Sequence, residues 1–182
     1  MARRNRGRIP AGTYHVWRRS AGPIEMFRDD TDRTAFCNRL ASSIAKYQLV
    51  CHAFVLMGTH FRLLVTVEDD LLSRVMRDAF GPYAQEFNRR WKRSGHLRGA
   101  PFKLRSVTDD ADLLGNVRYI ARNPVRAGFC QRPEEWYWGS YRGSAGYAQP
   151  FFFVDDSLAV GQLATRRAEA QRLLRIFVEP AE

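Results

Sequence analysis

The sequence has little lysine, few cysteines and no long apolar run, and each shortage argues against a class of protein. Cys37, Cys51 and Cys130 lie far apart without CxxC spacing, which argues against a disulfide scaffold or zinc ribbon and favours a reducing compartment. No apolar run approaches the ~20 residues of a membrane-spanning helix. The basic first residues lack the hydrophobic stretch of a secretory signal. We therefore expect a cytoplasmic protein with no membrane partner.

Arginine is what the sequence has in excess. Lys46, Lys92 and Lys103 are the only lysines among 29 basic residues, and the formal net charge is +10 over 182 residues. Arginine binds phosphate through paired hydrogen bonds and stacks on bases. The excess therefore favours a nucleic acid as partner, with the arginine-rich codons of a GC-rich genome as the alternative explanation.

The charge is unevenly spread along the chain. Residues 1–149 carry 25 basic and 14 acidic residues, whereas residues 150–182 carry four arginines and five acidic residues. We predict a basic arm over residues 1–12, a main domain over residues 13–149 and a helical extension over residues 150–182. The extension has the apolar spacing of an amphipathic helix, at Leu158, Leu163, Ala170, Leu173, Leu174 and Phe177.

Strand and helix patterns alternate through the rest of the chain. Alternating or continuous apolar segments predict strands over residues 13–19, 49–57, 60–67 and 102–107. Helical spacing predicts helices that start near residues 30, 72 and 110, the second kinked or split at Gly81-Pro82 and the third ended by Asn123-Pro124. This order predicts an α+β protein with a ferredoxin-like antiparallel sheet, helices on one face and a C-terminal helical extension.

Two polar groupings are candidates for chemistry. On the third helix, Tyr119 and Asn123 lie one turn apart, about 100° from the apolar stripe, which suits a nucleophile with a polar partner beside Arg118 and Arg122. On a strand, His60 and Arg62 point to the same face. The ordinary alternatives are that Tyr119 is a packing residue and that His60 is a structural histidine. One histidine with one asparagine supplies few ligands for a metal site.

Several segments, in order and spacing, resemble the REP-associated tyrosine transposases, bacterial relatives of the single-tyrosine HUH transposases. The resemblance covers roughly residues 8–147. Its segments are AGTYHVWRRSAGPIEMFRDDTDR, LVCHAFVLMGTHFRLLV, GPYAQEFNRRW, SGHLRGAPFK, LLGNVRYIARNPVRAGF and PEEWYWGSYRG.

The resemblance implies a single-stranded DNA transposase of the bacterial cytoplasm, associated with the nucleoid, whose catalytic and DNA-binding domain is residues 13–149. Members bind hairpin DNA, and a helix-borne tyrosine attacks a phosphodiester to form a 5′-phosphotyrosine while Mg²⁺ or Mn²⁺ polarises the phosphate. The nucleophile position falls on Tyr119, and two metal-ligand positions fall on His60 and Asn123. The second histidine of the His-hydrophobic-His motif is Arg62, which has no lone pair to give a metal.

The sequence also departs from the family's pattern near these positions, at Gly58-Thr59, at Arg98-Gly99-Ala100-Pro101 and at Gly81-Pro82. Three explanations of Arg62 at the second histidine position follow. Arg62 contacts the phosphate in place of the metal, or cleavage is lost and hairpin binding is kept in a domesticated DNA-binding protein, or His15 or His52 completes the metal site.

DNA binding is expected to use arginines throughout the body of the chain. The expected contacts are Arg3, Arg4, Arg6, Arg8, Arg62, Arg89, Arg90, Trp91, Lys92, Arg93, Arg118 and Arg122. A solvated helix end is the alternative for residues 89–93, and Trp136, Trp138 and Tyr141 are expected to pack the tail against the core. An RNA-binding module is an alternative, but the RNP motif expected of it is absent from this sequence. The family contains both monomers and homodimers.

Overall fold

A four-stranded antiparallel sheet forms the centre of the protein. The computed structural model describes residues 8–22, 24–97, 99 and 101–179. The strands are β1 (Gly12–Arg19), β2 (Val50–Leu56), β3 (His60–Val67) and β4 (Lys103–Ser106). They lie in the order β2-β3-β1-β4, and β1 pairs antiparallel with both β3 and β4. The α+β class and the antiparallel sheet predicted from the sequence are confirmed.

One face of the sheet is covered by two long helices, α1 (Asp30–Tyr47) and α2 (Leu72–Arg90). Alternate residues of the central strands, such as Val16 and Leu63, point to this face and are fully buried with the apolar sides of both helices. Side chains of a strand alternate between faces, so this burial determines which residues point the other way. Among those are His15, Trp17, His60 and Arg62.

The opposite face is also covered by helices, whereas the sequence predicted helices on one face only. It carries α3 (Asp110–Ala121), α6 (Ser157–Gly161) and α7 (Arg167–Val178). Val55 of β2 and Leu64 of β3 are buried there with Val117 of α3 and Leu174 of α7. Strand β2 buries apolar side chains on both faces, and an apolar face left open to water would cost about 25 cal/mol per Å². The shorter helices are α4 (Asn123–Arg126), α5 (Tyr141–Ser144) and a 3-10 turn (Pro133–Glu135).

Helix α2 runs without a break through Gly81-Pro82, so the prediction of a split is wrong. A proline inside a helix removes one i→i−4 hydrogen bond and clashes with the carbonyl of residue i−4, and its ring also clashes with the Cβ and N–H of the residue before it. Gly81 has no Cβ, so the part of the clash that involves the preceding Cβ is absent before Pro82.

Helix α3 begins and ends where the sequence predicted. The side chain of Asp109 accepts a hydrogen bond from Asp112 N at 2.8 Å, which caps the first turn. The helix ends at Ala121, and α4 starts at Asn123 with Pro124 in its first turn. This immediate restart holds Asn123 in a buried position and carries Arg126 one turn further.

The C-terminal residues pack on α3 as two helices, α6 and α7, rather than the one amphipathic helix that was predicted. Ala170, Leu174 and Val178 of α7 are buried in the core on that side. Trp138 and Tyr141 are buried as expected, and the indole of Trp136 donates to Leu56 O at 3.1 Å. Among the described residues, no helix is long and apolar enough to span a membrane.

The ends of α1 and α2 are held together by a charged cluster. The carboxylate of Asp32, 2 % exposed, accepts hydrogen bonds from Arg28 N at 3.0 Å, Arg90 Nη1 at 2.5 Å and Trp91 Nε1 at 3.1 Å. Arg90 also contacts Asp29 at 2.6 Å. Arg90 and Trp91 are therefore structural residues, while DNA contact by their neighbours stays a prediction.

Replacing Asp32 with alanine is expected to lower the free energy of unfolding by about 3 kcal/mol, because three N–H donors lose a buried acceptor. Urea unfolding near neutral pH measures the change. Glu86→Ala is the matched control, since Glu86 also joins α2 to α1 through Arg39 but that pair is about one-third exposed. It is expected to cost less than about 1 kcal/mol. Equal losses of unfolding free energy in the two variants would show that the buried cluster stabilises the fold no more than the exposed ion pair does.

Candidate active site

Tyr119, the predicted nucleophile, lies in the last turn of α3 between two arginines. The Cζ atom of Arg62, from β3, is 4.7 Å from the centre of the tyrosine ring, and that of Arg126, from α4, is 5.5 Å away. Arg62 is half-buried and Arg126 is exposed. Neither has a carboxylate partner in the part of the chain that the structure describes. The edge of α3 therefore presents a tyrosine flanked by two cations without counter-ions.

His60 and Asn123 meet, as the strand and helix positions predicted. His60 Nε2 lies 3.0 Å from Asn123 Oδ1, so that nitrogen donates to the amide oxygen. Burial lowers the pKa of His60, and the positive charges of Arg62 and Arg19 lower it further against the opposing effect of Asn123. His60 is therefore neutral near pH 7.

The residues at this point do not fit a divalent metal site. His60 and Asn123 offer two neutral donors that already bond to each other, and the third position is the guanidinium of Arg62, which cannot coordinate. Mg²⁺ and Mn²⁺ prefer several oxygen ligands. Among the described residues, no cluster of three histidine, cysteine, aspartate or glutamate side chains is placed to hold a metal. Metal dependence stays a prediction, and no step is derived through a metal.

Of the two other histidines considered as ligands, neither lies beside His60. His52 uses both ring nitrogens elsewhere, with Asp155 O at 3.0 Å and Thr66 Oγ1 at 2.7 Å. His15 pairs across the sheet with Leu64, four residues along β3 from His60. Its ring centre is 5.8 Å from that of Tyr119, so His15 belongs to the nucleophile's surroundings.

An open cleft of about 470 Å³ lies between β1, β4 and α3, on the His15 side of Tyr119. The sequence reasoning missed this cleft. Its polar wall is formed by Arg105 of β4, which bonds to both carboxylate oxygens of Asp112 at 2.7 and 2.8 Å. The lining residues are His15, Trp17, Arg62, Arg105, Asp112, Gly115, Asn116 and Tyr119. The available signal was the alternation of His15 and Trp17 on one strand face.

Acidification is expected to destabilise the fold through His15. Burial, then Arg62 and Arg105, lower its pKa from 6.5 to about 4, so the unfolded chain binds more protons between those values. Stability is highest above pH 6.5 and falls until about pH 4, by at most about 3 kcal/mol. Urea unfolding across this range measures the loss, which is expected to be smaller in His15→Phe. His52 and His60 act in the same direction, so an unchanged pH slope in that variant would assign the effect to them.

The remaining predicted DNA contacts are spread over the molecule. Arg3, Arg4 and Arg6 lie outside the described residues, and Arg8 is exposed and paired with Asp69 at 3.2 Å. Arg118 lies over the ring of Phe177, and Arg122 donates to Val178 O at 3.1 Å. These last two hold α7 against α3, so the position beside the nucleophile belongs to Arg62 and Arg126. Arg89, Lys92 and Arg93 flank Arg90 and Trp91 at the end of α2, and Arg89 and Lys92 are exposed.

Among solved structures, the fold is similar to a REP-associated tyrosine transposase bound to a REP hairpin, with a TM-score of 0.68 and 16% identity over 80% of this chain and 86% of that one. The chain has the fold of that transposase. A putative transposase from Deinococcus radiodurans R1 is similar at a TM-score of 0.45 and 14% identity, over 60% of this chain and 89% of that chain. No protein-family profile and no curated protein matches the chain. The resemblance to the transposase noted in the sequence is thus confirmed as a shared fold.

Proposed function

We propose that this protein binds hairpin DNA with single-stranded flanks and cleaves and rejoins it through Tyr119. The observation that carries the proposal is the position of Tyr119 between the unpaired guanidinium groups of Arg62 and Arg126. A guanidinium binds a phosphate through paired hydrogen bonds. A phosphodiester held by both arginines has its phosphorus within reach of the tyrosine hydroxyl.

The proposed step exchanges one phosphate ester for another. The hydroxyl oxygen of Tyr119 attacks phosphorus, the bond from phosphorus to the 3′ oxygen breaks, and a 5′-phosphotyrosine forms. The phenol loses its proton and the leaving 3′ oxygen gains one, so the product is a free 3′-OH. Attack by another 3′-OH reverses the step and rejoins the strand.

Arg62 and Arg126 supply the electrostatic part of this reaction. Negative charge grows on the phosphate oxygens in the transition state, and fixed donors already aimed at that charge are worth several kcal/mol in a site shielded from water. Burial disfavours the charged form of Arg62 and lowers its pKa, and its Nε atom is buried without a hydrogen-bond partner among the described residues. An anion beside it would satisfy both the charge and the donor.

The choice of DNA as the partner is supported by the fold and by the charge. The REP-associated transposase of the same fold was solved with a REP hairpin, and this chain carries a net charge of +10. Single-stranded flanks, and action as a monomer or a homodimer, are parts of the proposal.

Binding without cleavage is the second candidate function. It is favoured by Arg62, which stands at the second histidine position of the motif and packs its guanidinium on the ring of Tyr119. In that arrangement the cation holds a phosphate, and no third donor is present for a metal. The protein would then be a DNA-binding protein on a transposase scaffold.

One assay separates the two candidates. The protein is incubated with a labelled DNA hairpin that carries single-stranded flanks, once with Mn²⁺ or Mg²⁺ and once with EDTA, and is run on a denaturing gel. A labelled covalent adduct supports cleavage, and its presence in EDTA shows that no metal is needed. Hairpin binding without an adduct supports the second candidate, and failure to bind the hairpin overturns both.

A further inference from the structure

We infer that the cleft beside Tyr119 holds one unpaired nucleobase of the bound DNA, hydrogen-bonded by His15 and stacked on Trp17. The inference deepens the proposed function and rests on its DNA-binding part. It assigns a ligand to the part of the cleft beside His15 and Trp17, which the phosphate contacts proposed for Arg62 and Arg126 leave unexplained.

The Nε2 atom of His15 is a buried polar atom that has no hydrogen-bond partner among the described residues. The side chain of Asn116 interacts with the same imidazole, but Nε2 stays without a partner. His15 is 6 % exposed and lines the cleft. Buried polar atoms in native structures are nearly always satisfied, and an orphan calls for an explanation such as a missing ligand. A ligand in the cleft would supply the missing hydrogen bond.

The polar wall around His15 suits a neutral ligand rather than a second phosphate. Arg105 is neutralised by the carboxylate of Asp112, and Arg105 also bonds to Asn116 Oδ1 at 3.3 Å. The side-chain nitrogen of Asn116 donates hydrogen bonds to Asp112 O at 2.7 Å and to Asp112 Oδ1 at 3.0 Å. The uncharged imidazole of His15 can donate or accept at Nε2, which matches the edge of a nucleobase. Arg62, which has no carboxylate partner among the described residues, borders the cleft beside the ring of Tyr119, and Arg126 is not among the lining residues.

Aromatic side chains provide the surfaces on which a base stacks. Trp17 is half-buried, and its ring centre lies 5.2 Å from that of His15 at an interplanar angle of 50°. The ring of Tyr119 forms another side, 5.8 Å from His15. Stacking on such rings contributes about 1–3 kcal/mol per base. The cleft volume of about 470 Å³ lies in the range of small-molecule sites.

Gly115 keeps the cleft open, so a larger residue at this position is a way to block the cleft and test the inference. It lies one helical turn before Tyr119 on α3, lines the cleft, and a Cβ built on it meets nothing within 4 Å. A larger residue there fills the cleft without a clash at Cβ. Replacing a helical glycine also favours the helix, by about 1 kcal/mol for alanine, so the variants are expected to fold.

The experiment measures binding to hairpin oligonucleotides in which each flanking base is removed in turn. In the wild type, removal at one position is expected to weaken binding about 10-fold, since a stacked base is worth about 1–3 kcal/mol. Gly115→Leu is expected to bind the intact oligonucleotide about as weakly as the wild type binds the one that lacks the critical base. Removing that base is then expected to cause no further loss of affinity in the variant. Gly161→Leu is the matched control, because Gly161 is an exposed glycine of α6 outside the cleft whose Cβ would also meet nothing within 4 Å, and this variant is expected to bind like the wild type.

A spectroscopic readout accompanies the affinities. The ¹⁵N shift of His15 Nε2 is expected to change with the intact oligonucleotide and not with the one that lacks the critical base. The inference is overturned if no single base matters in the wild type, or if Gly115→Leu keeps the full penalty. Because only binding is measured, absence of a covalent adduct leaves this test intact. A wild-type protein that binds no hairpin overturns both the inference and the proposed function.

Discussion

Tyr119→Phe is expected to abolish covalent capture of hairpin DNA, while the affinity for the hairpin changes by no more than about twofold. The substitution removes the hydroxyl that attacks phosphorus and leaves the ring in place. The contacts of Tyr119 with Arg62, Arg126 and His15 are ring contacts, so the surrounding structure keeps its packing. No neighbouring side chain offers a second phenol among the residues that line the cleft.

Denaturing gels of the cross-linked product and a binding titration on the same oligonucleotide measure the two quantities. Tyr137→Phe is the matched control, because Tyr137 is 57% exposed and lies on the turn that precedes α5. Its adduct yield is expected to equal that of the wild type. An adduct that survives in Tyr119→Phe would place the nucleophile elsewhere and remove the central part of the proposal.

Arg62→Ala is expected to slow adduct formation by about 100-fold, the typical effect of removing one fixed donor to a developing negative charge. Arg62 is half-buried over the tyrosine ring, and its charge has no carboxylate partner among the described side chains. Hairpin affinity is expected to fall by about 10-fold at most, as for one phosphate contact. Single-turnover measurements separate the rate from the affinity.

Two further variants sharpen this result. Arg172→Ala removes a positive charge that is exposed on α7, and it is expected to leave the rate of adduct formation unchanged. Equal effects of the two alanine variants would mean that net charge alone matters. Arg62→His supplies a nitrogen donor beside His60 and Asn123, and its activity is expected to depend on Mn²⁺. A variant that is inactive with and without the metal would contradict our placement of the motif.

Much of the fold was predictable because it depends on short-range patterns. The alternation over residues 60–67 placed His60 and Arg62 on one face of a strand, and the capping aspartate at Asp109 fixed the start of α3. Helical spacing then put Tyr119 and Asn123 on one edge. The expected break in α2 was an error. It came from considering Pro82 alone, although the residue before it, Gly81, has no Cβ.

Other contacts were out of reach of the sequence because they join distant segments. Asp32 and Arg90 are 58 residues apart and yet form the charged anchor of α1 and α2. Arg118 and Arg122 were expected beside a phosphate, but α7 lies against them. The charge of an arginine is visible in the sequence, whereas the presence of a partner for that charge depends on which segments pack around it.

The sequence by itself determined the arginine excess, the antiparallel α+β sheet and the pairing of a helix tyrosine with a strand histidine motif that carries Arg62. Only the tertiary structure decided which of these charges face Tyr119, through the register of β1 against β3 and the restart of the helix at Asn123. The same packing buried His15 Nε2 with no hydrogen-bond partner among the described residues and left Gly115 facing open space. Local patterns determine secondary structure through steric and hydrophobic periodicity, but a site is assembled by long-range packing.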